Sequence, residues 1–400
     1  MPAAAVHPPV PFALPAGALA ELRSGTRPFG VYVHVPWCAS RCGYSDFNTN
    51  VPDRVRGAAP AAFAATAAAE AALMARALDG AAPPASTVFF GGGTPTLLAA
   101  ADLAAVLDAI RAAVGLAADA EVTVEANPET VDPAKLEALR AAGVTRVSLG
   151  MQSAAPHVLA TLERAHTPGR AAAAAREARA AGFEHVSLDL IYGAPGETDD
   201  DWRASLDAAL AAGPDHVSAY ALTLEPGTRM TAAVRAGRLP EPDEGALARR
   251  YELADARLSA AGLRWYEVSN WAGADAARCR HNLGYWTGGH WWALGPGAHG
   301  HVGGVRFWTH RHPATHARAV AAGAPPVDGW EALDPGARAL ERLMLETRLA
   351  TGLDLGLLDA LGRARAGELA ADGLLELQDG RAVLTLRGRR LADGVIRALA

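Results

Sequence analysis

Cysteine is scarce in this chain, with three residues in 400. So small and odd a number excludes a disulfide-built scaffold and leaves thiols that bind metal or pack, as expected of a cytoplasmic protein. The opening stretch MPAAAVHPPVPFALPAG has several prolines, no basic start and no long apolar run, so it is unlike a secretory signal. Long apolar runs are missing elsewhere too. The longest alanine-rich stretch, residues 58–78, is broken by Glu70 and Arg76, which fits a helix of a globular protein and not a membrane span. Charge of one sign is also lacking: 37 basic and 43 acidic side chains leave a net charge of −6, too weak a field to draw nucleic acid or an anionic membrane.

What is present suits a large core, since half the residues are hydrophobic and the length favours one big domain plus a smaller one. Six short runs rich in β-branched or aromatic residues read as buried strands: 30–37, 86–96, 121–130, 146–153, 185–198 and 216–228. Helical spacing lies between them, as in Leu103, Val106, Leu107 and Ile110, and beyond residue 230 the run RWYEVSNWA, residues 264–272, reads as one further strand. This alternation predicts an α/β fold of right-handed units, a partial (βα)6 TIM-like barrel with a wide lateral mouth. Residues 1–27 are expected to be a loose arm, 28–262 the barrel, and 263–329 a connecting segment rich in histidine and tryptophan. Residues 330–400 are expected to form a smaller C-terminal α+β module, winged-helix-like, with a hairpin turning at Asp379-Gly380. Arg381, Arg387, Arg389 and Arg390 in that module are too few for a nucleic-acid footprint.

The unusual polar residues fall inside or just after the C-terminal halves of the expected strands, the face on which barrel sites are built. The first station is YVHVPWCASRCGYSDF, residues 32–47, where Cys38 and Cys42 stand at Cys-x3-Cys spacing and Ser45 occupies the position of a third thiol. Closely spaced thiolates hold iron–sulfur clusters, and a serine hydroxyl is a poorer partner for iron. Next come the Gly91–Gly93 run before Thr94, which lets a ligand approach backbone N–H groups, and the carboxylates Glu125 and Asp189. His34 is expected to be buried and hydrogen-bonded, Cys279 to be either a packed thiol or a ligand, and Arg164, taken alone, to be a solvated helix residue. Residues 281–316 hold seven of the thirteen histidines and residues 265–308 six of the nine tryptophans, a density that suits a flat, apolar, metal-bearing ligand.

Taken in order, YVHVPWCASRCGYSDF, GGGTPT, EANPET, MQS, DLIYGAPGET and HNLGYW resemble the radical S-adenosylmethionine (SAM) proteins of the oxygen-independent coproporphyrinogen III oxidase group, and most of all its haem chaperone branch, HemW. The resemblance implies a radical SAM barrel carrying a [4Fe–4S] cluster on three cysteines, with SAM on the free iron. Here it assigns Cys38 and Cys42 to the cluster and leaves Ser45 in the place of the third ligand, so the cluster is expected to be weakened. It further implies SAM contacts at Tyr32, Gly92, Gly93, Thr94, Glu125, Gln152, Arg164, Asp189 and His299. Haem contacts are implied at His281, as iron ligand, with Asn282, Tyr285 and Trp286. The function implied is a haem chaperone that hands haem to an acceptor protein. The alternatives are the oxidase of porphyrin biosynthesis and a cluster-less binding scaffold. The oxidases resemble Cys-x3-Cys-x2-Cys-x-Cys and lack HNxxYW, whereas Phe47 stands at the last of those positions here.

Overall fold

The computed structural model describes residues 12–164 and 167–400. Six parallel strands form its centre: β1 (Phe29–Val35), β2 (Ala85–Gly92), β3 (Leu116–Ala126), β4 (Arg146–Gln152), β5 (His185–Tyr192) and β6 (His216–Ala221). Ahead of them runs α1 (Ala16–Arg23). The crossovers are α2 (Phe63–Leu78), α3 (Ala100–Val114), α4 (Pro133–Ala141), the pair α5 (Pro156–Thr161) and α6 (Arg170–Ala180), and α7 (Asp199–Ala211). Starts and stops follow local chemistry. Thr198 and Asp201 make a reciprocal capping box on α7, and Asp132 caps α4 with Pro133 in the first turn.

Alternation along the strands separates two faces. Val31, Val33 and Val35 of β1, Val88 and Phe90 of β2, Val122 and Val124 of β3, and Val186, Leu188 and Leu190 of β5 are buried in the main core beneath the helices. Full burial of each such side chain stabilises the fold by about 1.5–3 kcal/mol. The intervening residues face the lumen and are of another kind: Tyr32 and His34, Thr87 and Phe89, Glu121 and Glu125, Arg146 and Ser148, Ser187 and Asp189, His216 and Ser218. Apolar-out and polar-in alternation is what makes this half-barrel a site and not a packed plug.

The helix Pro60–Leu78 is long and apolar enough by length and composition to cross a membrane, but it packs on α3 and buries Glu70 together with Ala67, Ala71 and Met74. After β6 follow α8 (Arg229–Arg235) and α9 (Glu244–Ala260), and then three expectations need correction. RWYEVSNWA is not one strand but a hairpin, β7 (Arg264–Glu267) and β8 (Asn270–Ala272), because the chain turns at Val268-Ser269. Residues 263–329 do not merely connect. With α10 (Arg280–Trp286), β9 (His290–Leu294), β10 (His299–Val302), β11 (Val305–Thr309), α11 (Pro313–Ala321) and β12 (Val327–Ala332), they extend the sheet at both edges to twelve strands. β8 pairs with β6, and β9 pairs in parallel with β1. The arm expected over 1–27 is packed from residue 12 onward: Phe12 stacks among Trp292, Phe307 and Trp330, and Leu22 is fully buried. Residues 1–11 of that arm lie outside the described residues.

The boundary expected at residue 330 falls inside β12, so the C-terminal module starts at α12 (Pro335–Glu346). It has its own apolar cluster around Leu353, Ala366, Leu384 and Val395. Its antiparallel sheet has the order β13 (Leu353–Asp354), β15 (Arg381–Leu384), β14 (Leu375–Gln378), flanked by α13 (Ala360–Ala371), α14 (Leu386–Arg390) and α15 (Ala392–Leu399). Positive φ at both Asp379 and Gly380 makes the two-residue turn that joins β14 to β15.

Candidate functional site

The thiol loop leaves β1 and is clasped at its base: Cys38 N donates to Asn50 O (3.0 Å) and Asn50 N to Pro36 O (2.7 Å). The glycine run lies against it, with Gly93 N donating to Val35 O (2.8 Å) and Thr94 N to Trp37 O (2.7 Å). Gly92 has φ +105° and Gly93 sits against the Val35 and Trp37 carbonyls, so a Cβ at either position would collide with the His34 ring or that backbone. At the far end of the loop Asn48 Nδ2 donates to Pro296 O and Arg311 O, both at 2.8 Å, which ties the loop to the turn after β9.

Both thiols are half-buried and partnered. Thr94 Oγ1 approaches Cys38 Sγ at 3.7 Å, and Arg164 Nη1 donates to Cys42 Sγ at 3.3 Å. Burial pushes the Cys38 thiol up, and the Thr94 hydroxyl opposes that. Ser45 Oγ accepts from Phe47 N (3.3 Å), a local turn contact. Among the described residues, no three His, Cys, Asp or Glu side chains gather as a metal-holding group.

Below the loop lies the lumen. Gly92 N donates to Glu125 Oε2 (3.0 Å), and Ser148 Oγ donates to Asp189 (2.8 Å to Oδ2). Burial pushes Glu125 up to about 7, with the Asp189 charge adding to the effect and the Gly92 amide opposing it. Asp189 is likewise raised by burial and held back by its serine partners. Two carboxylates shielded from water, with the Arg146 charge only partly offsetting the burial of Asp189, are poised to receive hydroxyl or ammonium donors. Tyr32 OH and His34 Nδ1 share a hydrogen bond of 3.0 Å, and His34 Nε2 reaches Asn48 O at the same distance, so His34 is buried and satisfied as expected. Arg164 is no solvated residue. Its Nη2 faces Gly150 O (3.5 Å) while Nη1 holds Cys42, and nearby Gln152 adopts a left-handed φ of +65°. Tyr32, Gly92, Glu125 and Asp189 therefore line one lumen, and Thr94 and Arg164 connect it to the thiols. His299 stands at the edge, exposed on β10 with its ring 6.2 Å from Trp308.

The HNLGYW helix α10 closes the floor. Glu121 receives the amides of Arg280 and His281 at 3.0 Å each, capping the helix with a carboxylate. His281 is buried, its ring stacked on Phe89 at 5.2 Å. Its Nδ1 bonds Thr87 Oγ1 and its Nε2 bonds Tyr285 OH, both at 2.8 Å, so the nitrogen expected to face haem iron is already engaged on either side of the ring. Burial pushes this imidazole down to about 3, which keeps it neutral. Trp286 bonds Glu267 and Tyr285 packs edge-on to Trp291 at 4.6 Å. Asn282 is half-buried on the same helix. Cys279 is buried beside Glu121 and pushed up by that burial, a packed thiol.

The radical SAM superfamily model matches residues 32–209. A protein named heme chaperone HemW from Mycobacterium tuberculosis is 56% identical over 93% of this chain and 95% of its own length. The chain belongs to the HemW family of the radical SAM superfamily. A Bacillus subtilis relative of the same name is 31% identical over 92% of this chain and 98% of its own. The coproporphyrinogen III oxidase HemN of Escherichia coli superposes with a TM-score of 0.81 over 97% of this chain and 93% of its own at 22% identity, a likeness of fold.

The radical SAM family implies a [4Fe–4S] cluster and SAM. For SAM, the residues of this HemW-family lumen fit: buried carboxylates at Glu125 and Asp189, open glycine backbone at Gly92 and Gly93, and the aromatic Tyr32 beside them. For the cluster, the donor set is two thiols and one hydroxyl. Several participants were not legible beforehand. Ser148 and Phe89 carry no signal beyond alternation on a strand, and Asn48 is an ordinary polar residue until the fold brings Pro296 beside it. Tyr44, raised by burial and lowered by Arg164, was visible only as the aromatic between Cys42 and Ser45.

Proposed function

We propose that the chain is a cytoplasmic haem chaperone that binds haem and passes it to an acceptor protein. The observation that carries this is 56% identity, spread over nearly the whole of both chains, to a protein named as a heme chaperone. Ser45 and Phe47, in place of the third and last cysteines of the oxidase pattern, argue against oxidase chemistry. The cluster site in this chain is proposed to be incomplete: two thiolates leave one iron without its protein ligand.

For the iron ligand, the arrangement favours His299 over His281. The His299 imidazole is exposed and held below its ordinary range by partial burial and by the cations Arg311 and Arg306, which keeps it neutral for ligation. Trp308 offers a face for a porphyrin, and Arg311 suits a propionate, Arg306 being already paired with Glu331 and Glu341. Haem titration checks this. His299→Ala should shift or weaken the Soret band, while His281→Ala, assayed where it is folded, should leave the band unchanged. The opposite result would return the ligand role to His281, and no band at all in the unaltered chain would end the chaperone proposal.

A further inference from the structure

Behind the thiol loop, away from the lumen, α2 and α11 enclose a cavity of about 70 Å³ with the segment Gly295-Pro296 and the 57–59 loop. Its walls are largely apolar, including Pro36, Ala58, Phe63, Ala67 and Pro313. Four polar side chains border it: Thr66, whose hydroxyl already donates to Ala62 O (3.0 Å), and Trp37, Glu70 and His316, each of these three 2% exposed. Trp37 Nε1, Glu70 Oε1 and His316 Nε2 are all buried without a hydrogen-bond partner. Glu70 Oε1 and His316 Nε2 lie 3.1 Å apart, an ion-pair distance, yet without hydrogen-bond alignment. The second oxygen of Glu70 is engaged, receiving Gly295 N at 2.8 Å.

Buried polar atoms without partners are rare and costly, so three around one cavity call for an occupant that completes them. With a proton on His316 Nε2 beside the carboxylate, the inventory is two donors and one acceptor. A hydroxyl is the complement, offering two acceptor lone pairs and one donor. A carboxylate occupant would set a second anion against Glu70, and an ammonium has only donors and would leave the indole unpaired. In size the cavity has room for about five water-sized centres, or an occupant of about five non-hydrogen atoms. We propose that this cavity is a binding site for a small aliphatic alcohol of about four carbons. Its hydroxyl sits among Trp37, Glu70 and His316, and its chain lies along Phe63 and Ala67. The site adjoins the thiol loop through Trp37, which directly precedes Cys38 and whose carbonyl carries Thr94.

Saturation-transfer NMR on the full chain, titrated in parallel with 1-butanol, butyrate and n-butylamine, tests the site. A saturable signal is expected for 1-butanol alone, weakened at least tenfold in Trp37→Phe. It should be abolished in Ala67→Leu, which fills the cavity, and in Ala62→Phe, which blocks the exposed rim without touching the core. No saturable 1-butanol signal would overturn the proposal and leave the cavity to water. Equal binding of butyrate or n-butylamine, or unaltered 1-butanol binding in a folded Ala62→Phe protein, would also overturn it.

Discussion

At the scale of single residues, two positions decide what the lumen can do. Ser45 replaces a soft, readily ionised thiol by a hard hydroxyl that ionises far less readily, and its oxygen is taken up by the Phe47 amide. Reconstituted without oxygen, the chain should hold clearly fewer than the about four irons of an intact cluster, and Ser45→Cys should restore both the count and the brown absorbance. A full iron count in the unaltered protein would remove the proposed weakness. Glu125 is the second. Its carboxyl titrates at about 7 in the fold, against an ordinary value of 4.5, because burial disfavours its charge. Below about pH 4 it is protonated in both states and costs nothing. As pH rises the unfolded chain ionises first, so stability falls between about 4.5 and 7 and the whole penalty is present above that. Glu125→Gln, which still offers an oxygen to the Gly92 amide, should match the unaltered chain in urea unfolding at pH 4. At pH 8 it should be more stable, by on the order of 2 kcal/mol. A pH-independent difference would show that the charge is not the cause.

Among elements, α10 shows where sequence was informative and where it was not. HNLGYW was legible as an unusual cluster, but spacing alone does not say whether an imidazole on a seven-residue helix looks outward or into the lumen. Thr87 on β2 and Glu121 on β3 decide that, and both are remote in sequence. The six central strands and their polar ends were legible because alternation and terminal glycines repeat six times. Strands β9 to β12 were not, since runs of four to six residues with mixed aromatics give too few periods to read. His281→Ala would leave Thr87 Oγ1 and Tyr285 OH unpaired in the floor and open a void under Phe89. The expected cost is about 2–4 kcal/mol in chemical denaturation. A loss under about 0.5 kcal/mol, the range of ordinary surface substitutions, would mean α10 is not the closed floor described.

Across the whole molecule, the main apolar cluster under the twelve-stranded sheet and the one inside the C-terminal module are built separately, and Leu386, packed against the main cluster, together with a few polar joints sets their relative placement. The arginines that sequence left as a weak basic patch supply the main one. Arg389 makes hydrogen bonds of 2.8 and 3.2 Å to the two oxygens of Asp255 on α9, and its guanidinium lies over the Trp265 ring at 4.4 Å. Arg390 pairs with Glu252 one turn away, and Leu349 bridges to Glu267 on β7. Only Arg389 among these pairs is both bidentate and largely withdrawn from water, with 12% of its side chain exposed against 15% for Asp255, so screening weakens it least. Arg389→Ala should therefore cost about 2–3 kcal/mol at this joint, more than the about 0–1 kcal/mol expected for Arg390→Ala at the exposed pair. Because the module keeps its own core, the loss should appear as faster proteolytic cleavage around residues 332–335 and release of an intact C-terminal fragment, not as global unfolding. Equal cleavage rates in Arg389→Ala and the unaltered chain would show that apolar contact, and not the Arg389–Asp255 pair, holds the module against the barrel.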